Sequence, residues 1–252
     1  MPNPRAISIV LIASLACAGP KKDTPAKKNE VIVLGMIHSG HRTNPRYSID
    51  IVKKIIRSIK PDYILTEIPP DRLPIAQGQF RRTGRITEPR VLVFPEYTDA
   101  LFPLTRETDF VIVPCAGWTK KMADDRKKKL ARYKTERKKD YDEMIQARRK
   151  MNRDLKGISD RPEGIHTKKY DRIVERGMEP YDRLFNDDLG PGGWDNINKA
   201  HYALIARALE KHKGEGKRFL IMFGAWHKHW FLKKLRERDD IRIQRLSDYW
   251  RP

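Results

Sequence analysis

The stretch VIVLGMIH, residues 31–38, joins a run of apolar residues to the pattern Gly-x-x-His. The same arrangement returns near the other end of the chain in FLIMFGAWH, residues 219–227. Short apolar runs bounded by glycine are typical of strands buried on both faces of a parallel sheet. A glycine at a strand end lets the backbone turn sharply or approach a ligand closely. The two stretches therefore predict two strands, each with a histidine, His38 or His227, at its carboxyl end.

The rest of the chain alternates apolar runs with helical patterns. Further strands are predicted at Tyr63–Thr66, Val91–Phe94, Phe110–Val113 and Ile241–Leu246, and helices after Ser48, after Glu96, over Asn198–His212 and over His229–Glu237. Such alternation predicts an α/β fold with a mostly parallel central sheet flanked by helices.

A long charged segment interrupts this alternation between about residues 118 and 193. From Thr119 to Asp160 it contains no proline and one glycine, Gly157, while Lys, Arg, Asp and Glu dominate. Its thin apolar stripe consists of Leu130, Tyr133, Tyr141, Met144, Met151 and Leu155. This pattern predicts a helical insertion of one or two long helices, arranged as a hairpin that stands off the sheet. The insertion is either a solvated structural element or a lid or docking arm for an anionic surface.

Residues 1–18 have the features of an export signal. Arg5 supplies a positive charge, and Ile7–Leu15 is an apolar run too short to span a bilayer. The sequence suits cleavage after Ala18 or, alternatively, lipid attachment at Cys17. The mature chain is therefore expected to be periplasmic or extracellular, or anchored to a membrane through Cys17.

Residues 19–29 are polar and rich in proline and lysine, which predicts a flexible tether before a domain over residues 30–252. The net charge of +20 favours anionic partners such as lipid headgroups or cell-wall polymers. Export argues against nucleic acid as the partner. The only cysteine besides Cys17 is Cys115, which follows an apolar run and is predicted to be a buried structural thiol.

The chemistry-bearing residues at predicted strand ends are His38, Glu67 and His227. Parallel strands bring their carboxyl ends to one edge of the sheet, where open α/β folds bind ligands. Two histidines and a carboxylate are a common ligand set for a divalent ion such as Mn, Co, Fe or Zn. Glu67 is either a ligand or a general base, and the sequence leaves both roles open.

The chain has five histidines besides His38 and His227. His41 and His229 follow the two motifs closely and are candidates for further ligands or for partners that orient the ligands. His166, His201 and His212 lie in charged or helical contexts and are predicted to lie at the surface. A dinucleotide-binding glycine pattern, a phosphate-binding loop, a serine nucleophile elbow and paired cysteines are all missing from the sequence.

In its ordered motifs the chain resembles the TraB/GumN/Tiki superfamily, which is related to the erythromycin-esterase and ChaN-like folds. The resemblance rests on Gly35–His38, Glu67 and Gly224–His227 and covers roughly residues 30–115 and 195–250. It implies an α/β fold and, as in the Tiki branch, metal-dependent hydrolysis of peptide or protein substrates. A ChaN-like relative implies haem as an alternative ligand.

The chain departs from this family at two places. Lys199 stands near Asn198 where the family often has an arginine, so the charge is kept without bidentate geometry, and Lys199 is a further candidate for a partner that orients the ligands. Lys228-His229-Trp230 follows the second motif where small or apolar residues are common. Three hypotheses follow: an exported metal-dependent hydrolase, a non-catalytic haem- or metal-binding lipoprotein favoured by His41, His229 and Trp230, and an interaction protein whose basic helices bind anionic surfaces.

Overall fold

The computed structural model describes residues 27–251 and has the α/β architecture that the sequence predicts. The sheet contains the strands β1 (Asn29–Met36), β2 (Tyr63–Thr66), β3 (Val111–Pro114), β4 (Arg218–Gly224) and β5 (Ile241–Ile243). Their order is β3-β2-β4-β1-β5, and every neighbouring pair is parallel. The carboxyl ends of all five strands therefore lie at one edge.

Helices cover both faces of this sheet. They are α1 (Ile49–Ile59), α2 (Leu73–Thr83), α3 (Pro89–Leu92), α4 (Phe102–Leu104), α5 (Lys120–Glu136), α6 (Lys138–Leu155), α7 (Pro162–Ile165), α8 (Lys168–Leu189), α9 (Trp194–Lys211) and α10 (Lys228–Leu235), with a π-helical turn at Glu96–Leu101. Ser48 caps α1 as predicted, since its side chain accepts the amide hydrogen of Ile51. No helix within residues 27–251 is both long and apolar enough to cross a bilayer.

The two motif strands β1 and β4 are neighbours at the centre of the sheet. Along β1, Ile32 and Leu34 belong to the hydrophobic cluster on one face, while Val31 and Val33 belong to the cluster on the other face. Because both faces are covered, successive residues are all apolar instead of alternating with polar ones. This explains the continuous apolar runs before both motifs.

The strand predicted at Val91–Phe94 is wrong, because Val91 and Leu92 end helix α3 and Val93 lies in the turn after it. Pro89 is the first residue of α3, where its fixed φ suits a helix start. The Glu88 carboxylate accepts the amide hydrogens of Arg90 and Val91 and thereby caps the helix. Local capping thus outweighs the β propensity of the valines.

The N-terminal boundary of the domain differs from the prediction. The export signal over residues 1–18, the lipid site at Cys17 and most of the tether lie outside the described residues. The last tether residue, Asn29, instead begins β1 with a fully buried side chain. Its amide nitrogen donates to the carbonyl of His212, and its amide oxygen accepts the backbone hydrogen of Lys217. These bonds tie it to the segment before β4.

The insertion is helical, as predicted, but it does not stand off the sheet. Its helices α5 to α8 pack into the main hydrophobic cluster, which also contains Ile32 and Leu34. A side chain at Gly177 of α8 would come within 2.5 Å of Met151 of α6, so the two helices are in close contact. The apolar stripe of α5 and α6 can be thin because α8 contributes further apolar side chains to the same core. These are Tyr170, Val174, Met178, Tyr181 and Phe185.

Candidate metal site

Glu67 lies directly after β2 and is held by the neighbouring strand. Its backbone N–H donates to the hydroxyl of Tyr97 at 2.8 Å, and that hydroxyl donates to the carbonyl of Met222 at 2.6 Å. The Oε2 atom of Glu67 accepts the amide hydrogen of Gly224 at 3.0 Å. Burial raises the pKa of Glu67, against the opposing effects of the charge of His38 and of the Gly224 amide.

His38 and His227 flank this carboxylate, so the three residues predicted to share a site do come together. The Nε2 atom of His38 is 3.9 Å from Oε2 of Glu67, and the Nε2 atom of His227 is 4.0 Å from Oε1. A tetrahedral ion about 2.1 Å from its ligands would separate ligand atoms by about 3.4 Å. Both histidine–carboxylate distances exceed this separation by about half an ångström, while the residues whose ligand atoms all lie within 4.8 Å of one another are Glu67, His227 and a third histidine, His201.

Each of these histidines is anchored through its other ring nitrogen. The Nδ1–H of His38 donates to Oε1 of Glu96, and the Nδ1–H of His227 donates to Oδ1 of Asn198, both at 2.7 Å. The Asn198 amide is oriented by its own Nδ2, which donates to the carbonyl of Trp194. Such partners fix the tautomer and leave Nε2 for a metal ion, as is usual for metal-binding histidines.

Glu96 and Asn198 also belong to the site, although neither was predicted to. Glu96 is fully buried, and its second oxygen, Oε2, has no hydrogen-bond partner among the described residues. A charged residue inside the apolar stretch around Tyr97 and Leu101 was the available signal, since buried carboxylates are rare without a partner. Asn198 offered a similar signal as a polar residue on the apolar face of α9.

The two histidines differ in charge. Burial opposes protonation of His38, but the hydrogen bond and charge of Glu96 and the charge of Glu67 outweigh it and raise the pKa to about 9. His38 also has φ of 50°, a left-handed conformation that is uncommon for a residue other than glycine. Burial lowers the pKa of His227 well below its usual value, and its ring stacks on Trp194 at 4.8 Å.

His201 is the largest departure from the predicted site, since the expected surface position is wrong. The residue is buried in α9, and one potential ligand atom each from Glu67, His201 and His227 lie within 4.8 Å of one another. Its Nδ1 accepts the amide hydrogen of Gly117 at 2.9 Å. Burial lowers the pKa of His201 to about 4, against a smaller effect of the Cys115 carbonyl. The spacing of Asn198 and His201, three residues apart on a helix, was a usable signal.

His41 supports the site without facing it. Its Nε2 accepts the amide hydrogen of Ile37 at 3.1 Å, and its Nδ1–H donates to the carbonyl of Tyr47 at 2.7 Å. Both ring nitrogens are therefore occupied in holding the turn that carries His38. This arrangement agrees with an orienting role for His41 and leaves it no nitrogen for haem or for a metal ion.

His229 and Lys199 lie away from the three site residues, in a groove of about 860 Å³ between α8, α9 and α10. Both ring nitrogens of His229 are buried and have no partner within the described part of the chain. Lys199 is mostly exposed and pairs with Asp195. Among residues 27–251, neither His229 nor Lys199 makes a hydrogen bond or ion pair with Glu67, His38 or His227, so their orienting roles stay predictions without a direct contact to the site.

The other two histidines predicted at the surface are also partly buried. His166 of the insertion accepts the amide hydrogen of Gly35 at 3.1 Å. This bond satisfies a backbone donor near the carboxyl end of β1, because the short strand β5 pairs with β1 only as far as Val31. His212 packs its ring on Tyr63 at 4.3 Å. Cys115 is a free, buried thiol, and burial raises its pKa, in agreement with the predicted structural role.

The two motif glycines are required for different reasons. A Cβ atom at Gly224 would lie 2.7 Å from Nε2 of His38, so this position leaves room for the imidazole. A Cβ atom at Gly35 would lie 2.9 Å from Ile165 and 3.0 Å from Ala225, so this position permits close packing of the insertion. One glycine makes space for the site and the other for the core.

A cavity of about 550 Å³ opens above His38 and His227. Ile37, Trp194 and Trp226 give it apolar walls, and the insertion adds Asn152, Leu155, Ser159 and Tyr170. The insertion therefore forms part of the site wall. Cavities of this size, with apolar walls and a few polar groups, are typical of small-molecule or side-chain binding sites.

In comparisons with known proteins, no protein-family model matches this chain, and no curated protein and no solved structure matches it either. The arrangement of Glu67, His201 and His227, with His38 beside them, is a possible metal-binding cluster in its own right. Its chemistry has to be inferred from its geometry.

Proposed function

We propose that the chain is a metal-dependent hydrolase that holds a divalent ion between His38, Glu67 and His227. One observation carries the proposal: the Glu67 carboxylate lies 3.9 Å and 4.0 Å from the Nε2 atoms of two histidines whose Nδ1 atoms are both anchored. When bound, a Mn, Co, Fe or Zn ion lowers the pKa of water and makes hydroxide available near neutral pH. The TraB/GumN/Tiki resemblance points to the same activity.

The residues of the chain prepare this site for an ion. Glu96 and Asn198 hold the two imidazoles so that each presents Nε2. His38 has to release its Nε2 proton when that nitrogen binds an ion. The hydrogen bond from Nδ1–H to the Glu96 carboxylate then makes Nε2 a stronger ligand. Gly224 binds Oε2 of Glu67, which leaves Oε1 for the ion or for a proton taken from water.

The proposed substrate is a peptide or protein. The cavity walls around Trp194, Trp226 and Leu155 suit an apolar side chain, and His38 and His227 at the base would lie next to the scissile amide. Hydrolysis of peptides with apolar residues should therefore exceed hydrolysis of peptides with acidic or basic residues at the same positions.

Metal analysis of the purified full chain is the decisive experiment. Wild type should carry about one equivalent of a divalent ion, and the His38→Ala/His227→Ala double variant should carry none while keeping its circular dichroism spectrum. His212→Gln is the matched control, because His212 packs on Tyr63 and lies outside the cluster. Wild-type protein that stays metal-free after reconstitution with each ion would contradict the proposal.

Glu67→Gln separates the two roles of the carboxylate. The amide keeps the size of the side chain and removes its charge. If Glu67 is a ligand, metal affinity falls together with peptide hydrolysis. If Glu67 is the general base, the variant retains its metal ion and loses only hydrolysis. Single-turnover assays on metal-loaded protein, alongside metal analysis, distinguish the two results.

A second candidate function is binding to an anionic surface through α5 and α6. Every acidic side chain of these two helices is in an ion pair. Within the described residues, no ion pair involves the exposed basic side chains of Lys127, Lys128, Lys134, Lys139 and Arg149. The helices therefore expose uncompensated positive charge, which attracts anionic lipids or polymers.

Salt dependence tests this second function. Binding to vesicles with acidic headgroups should weaken steeply with added salt, because exposed charges are screened. The triple change Lys127→Glu/Lys128→Glu/Lys134→Glu should abolish it, and His38→Ala/His227→Ala should leave it intact. Binding that is insensitive to salt and to the triple change would contradict this function.

The proposed location is outside the cytoplasm, either free or lipid-anchored through Cys17. The support is the signal-like sequence of residues 1–18. Cell fractionation of wild type and Cys17→Ser checks it. A lipid anchor predicts release of the variant from the membrane, free secretion predicts no change, and a purely cytoplasmic protein would contradict export.

A further inference from the structure

We infer that His201 stands beside the site as a neutral imidazole with its proton on Nε2 and is not a metal ligand. By proximity alone His201 would be a ligand, since one of its ring nitrogens belongs to the set within 4.8 Å that includes Glu67 and His227. The inference rests on the proposed function, because it assigns a role within that same site. The direction of one hydrogen bond decides the assignment.

The bond in question joins Gly117 to His201. The backbone N–H of Gly117 donates to Nδ1 of His201 at 2.9 Å, so Nδ1 has to carry its lone pair there. The proton of the neutral ring then lies on Nε2. Neither nitrogen keeps a free lone pair for a metal ion, because Nδ1 is occupied and Nε2 is protonated. This conclusion holds whichever nitrogen is the one nearer to Glu67.

The bond is held in place by close packing. A Cβ atom at Gly117 would lie 2.6 Å from Ala200, so the loop after β3 rests directly on α9 at the residue before His201. His201 is itself buried and its ring packs on Phe223 and His227. A flip of the ring would put Cδ2 in the place of Nδ1 and would break the hydrogen bond from Gly117.

His227 and His38 have the opposite arrangement. Their Nδ1–H groups donate to Asn198 and Glu96, so their Nε2 atoms are the ones that can bind an ion. The ligand set of the proposed function is then His38, Glu67 and His227, without His201.

The protonated nitrogen of each histidine can be observed directly. Long-range proton–nitrogen NMR spectra of the ¹⁵N-labelled, metal-free full chain identify it at neutral pH, with assignments from single His→Gln variants. We expect Nε2–H for His201. His41 and His166 are internal controls, because each accepts a backbone amide at Nε2 and should therefore be Nδ1–H. A His201 ring protonated at Nδ1, donating towards the Cys115 carbonyl, would overturn the inference.

Substitution provides a second readout. His201→Gln should keep about one equivalent of metal, whereas His38→Ala should lower metal affinity at least about 10-fold. His201→Met, which has no ring nitrogen to offer an ion, should likewise keep about one equivalent of metal. Loss of metal in a folded His201→Gln protein would overturn the inference.

The two proposals fail in different ways. Wild type that binds no metal contradicts the hydrolase, whereas the tautomer of His201 is measured in the metal-free protein and stands independently. Should a His201 variant fail to fold, the wild-type spectrum still gives the tautomer, because the signals of the remaining histidines can be assigned from the other variants and His201 by elimination.

Discussion

The two Gly-x-x-His motifs have the same pattern and follow adjacent strands, yet their histidines are physically different. His38 is anchored by the buried carboxylate of Glu96, which raises its pKa to about 9 against the effect of burial. His227 is anchored by the neutral amide of Asn198, and burial lowers its pKa well below the usual value. The motif places a histidine at the sheet edge, but the neighbouring side chain sets its charge.

The difference gives the metal-free site a positive and a neutral imidazole around one carboxylate. The His38 proton partly balances the charges of Glu67 and Glu96, which would otherwise repel each other in a buried setting. A divalent ion could take over that balance when it displaces the proton. The asymmetry therefore fits a site that is stable both with and without metal.

Replacing a motif glycine by alanine should produce the largest effects, and the effects should differ between the two motifs. In Gly224→Ala the new Cβ would lie 2.7 Å from Nε2 of His38, so the imidazole has to leave its position. We expect metal affinity to fall by about 100-fold, the upper end of the usual effect of disturbing a ligand. Calorimetric titration of the metal-free protein with Zn²⁺ measures the loss.

Gly35→Ala is the matched change in the other motif. Its Cβ would meet Ile165 and Ala225, so overpacking should lower the free energy of unfolding by about 1–3 kcal/mol. Metal affinity in the folded fraction should change far less than in Gly224→Ala. Equal losses of affinity in both variants would show that the two glycines do not have the separate roles described above.

The pH dependence of stability should have opposite signs for His38 and His201. His38 binds its proton more tightly in the folded protein, so its contribution is complete below pH 6.5 and is lost as the pH rises to about 9. The pKa of His201 is lowered to about 4, so its contribution is complete above pH 6.5 and is lost as the pH falls to about 4. Each effect is at most about 1.4 kcal/mol per pH unit.

Denaturant unfolding of the metal-free protein at several pH values measures both contributions. The stability difference between wild type and His38→Gln should shrink towards alkaline pH, and that between wild type and His201→Gln should shrink towards acid. The His38 effect should be the smaller one, because 36% of its side chain is exposed and solvent screens the charges. Parallel pH profiles for the two variants would contradict the assigned charge states.

Much of this architecture could be predicted from the sequence, and the failures have local causes. The apolar runs before Gly35 and Gly224 predicted the central parallel strands, because burial on both faces leaves a clear pattern. His38, Glu67 and His227 could be predicted to meet, because parallel strands share one carboxyl edge. His201 was missed because its helical context was interpreted as surface; its spacing from Asn198 puts both residues on one face of α9 but does not specify what that face contacts.

The residues that hold the motifs in place are brought there by tertiary contacts, which no local sequence pattern specifies. Glu96 reaches His38 from a π-helical turn, and His166 reaches Gly35 from the insertion. The insertion was predicted to stand off the sheet, because its composition is dominated by charge. Its core contacts come from a few large residues, such as Met151 and Tyr170, which are diluted among the charged ones.

Asn198→Asp should make the second motif resemble the first. The new carboxylate would accept the Nδ1–H of His227 as Glu96 accepts that of His38, and a nearby opposite charge favours the protonated ring. We expect the pKa of His227 to rise by about 1–3 units, measured by NMR titration of the metal-free protein. Glu96→Gln is the reciprocal change and should lower the pKa of His38. An unchanged His227 titration in Asn198→Asp would mean that burial alone sets its charge.

The smallest expected effect concerns His229, which follows the second motif closely but lies outside the site. Its two ring nitrogens are buried without a partner within residues 27–251, so the imidazole gains little from being polar. His229→Phe keeps the ring and removes the unsatisfied nitrogens, and it should raise the free energy of unfolding by about 1 kcal/mol or leave it unchanged.

Metal content and metal affinity should be the same in His229→Phe as in wild type. His229 lines the groove between α8, α9 and α10 and is not one of the clustered residues Glu67, His201 and His227. Thermal unfolding and metal analysis of the two proteins side by side test this. A loss of metal in the folded variant would place His229 in the site, and the contrast between the two motifs would then have to include the residues that follow His227.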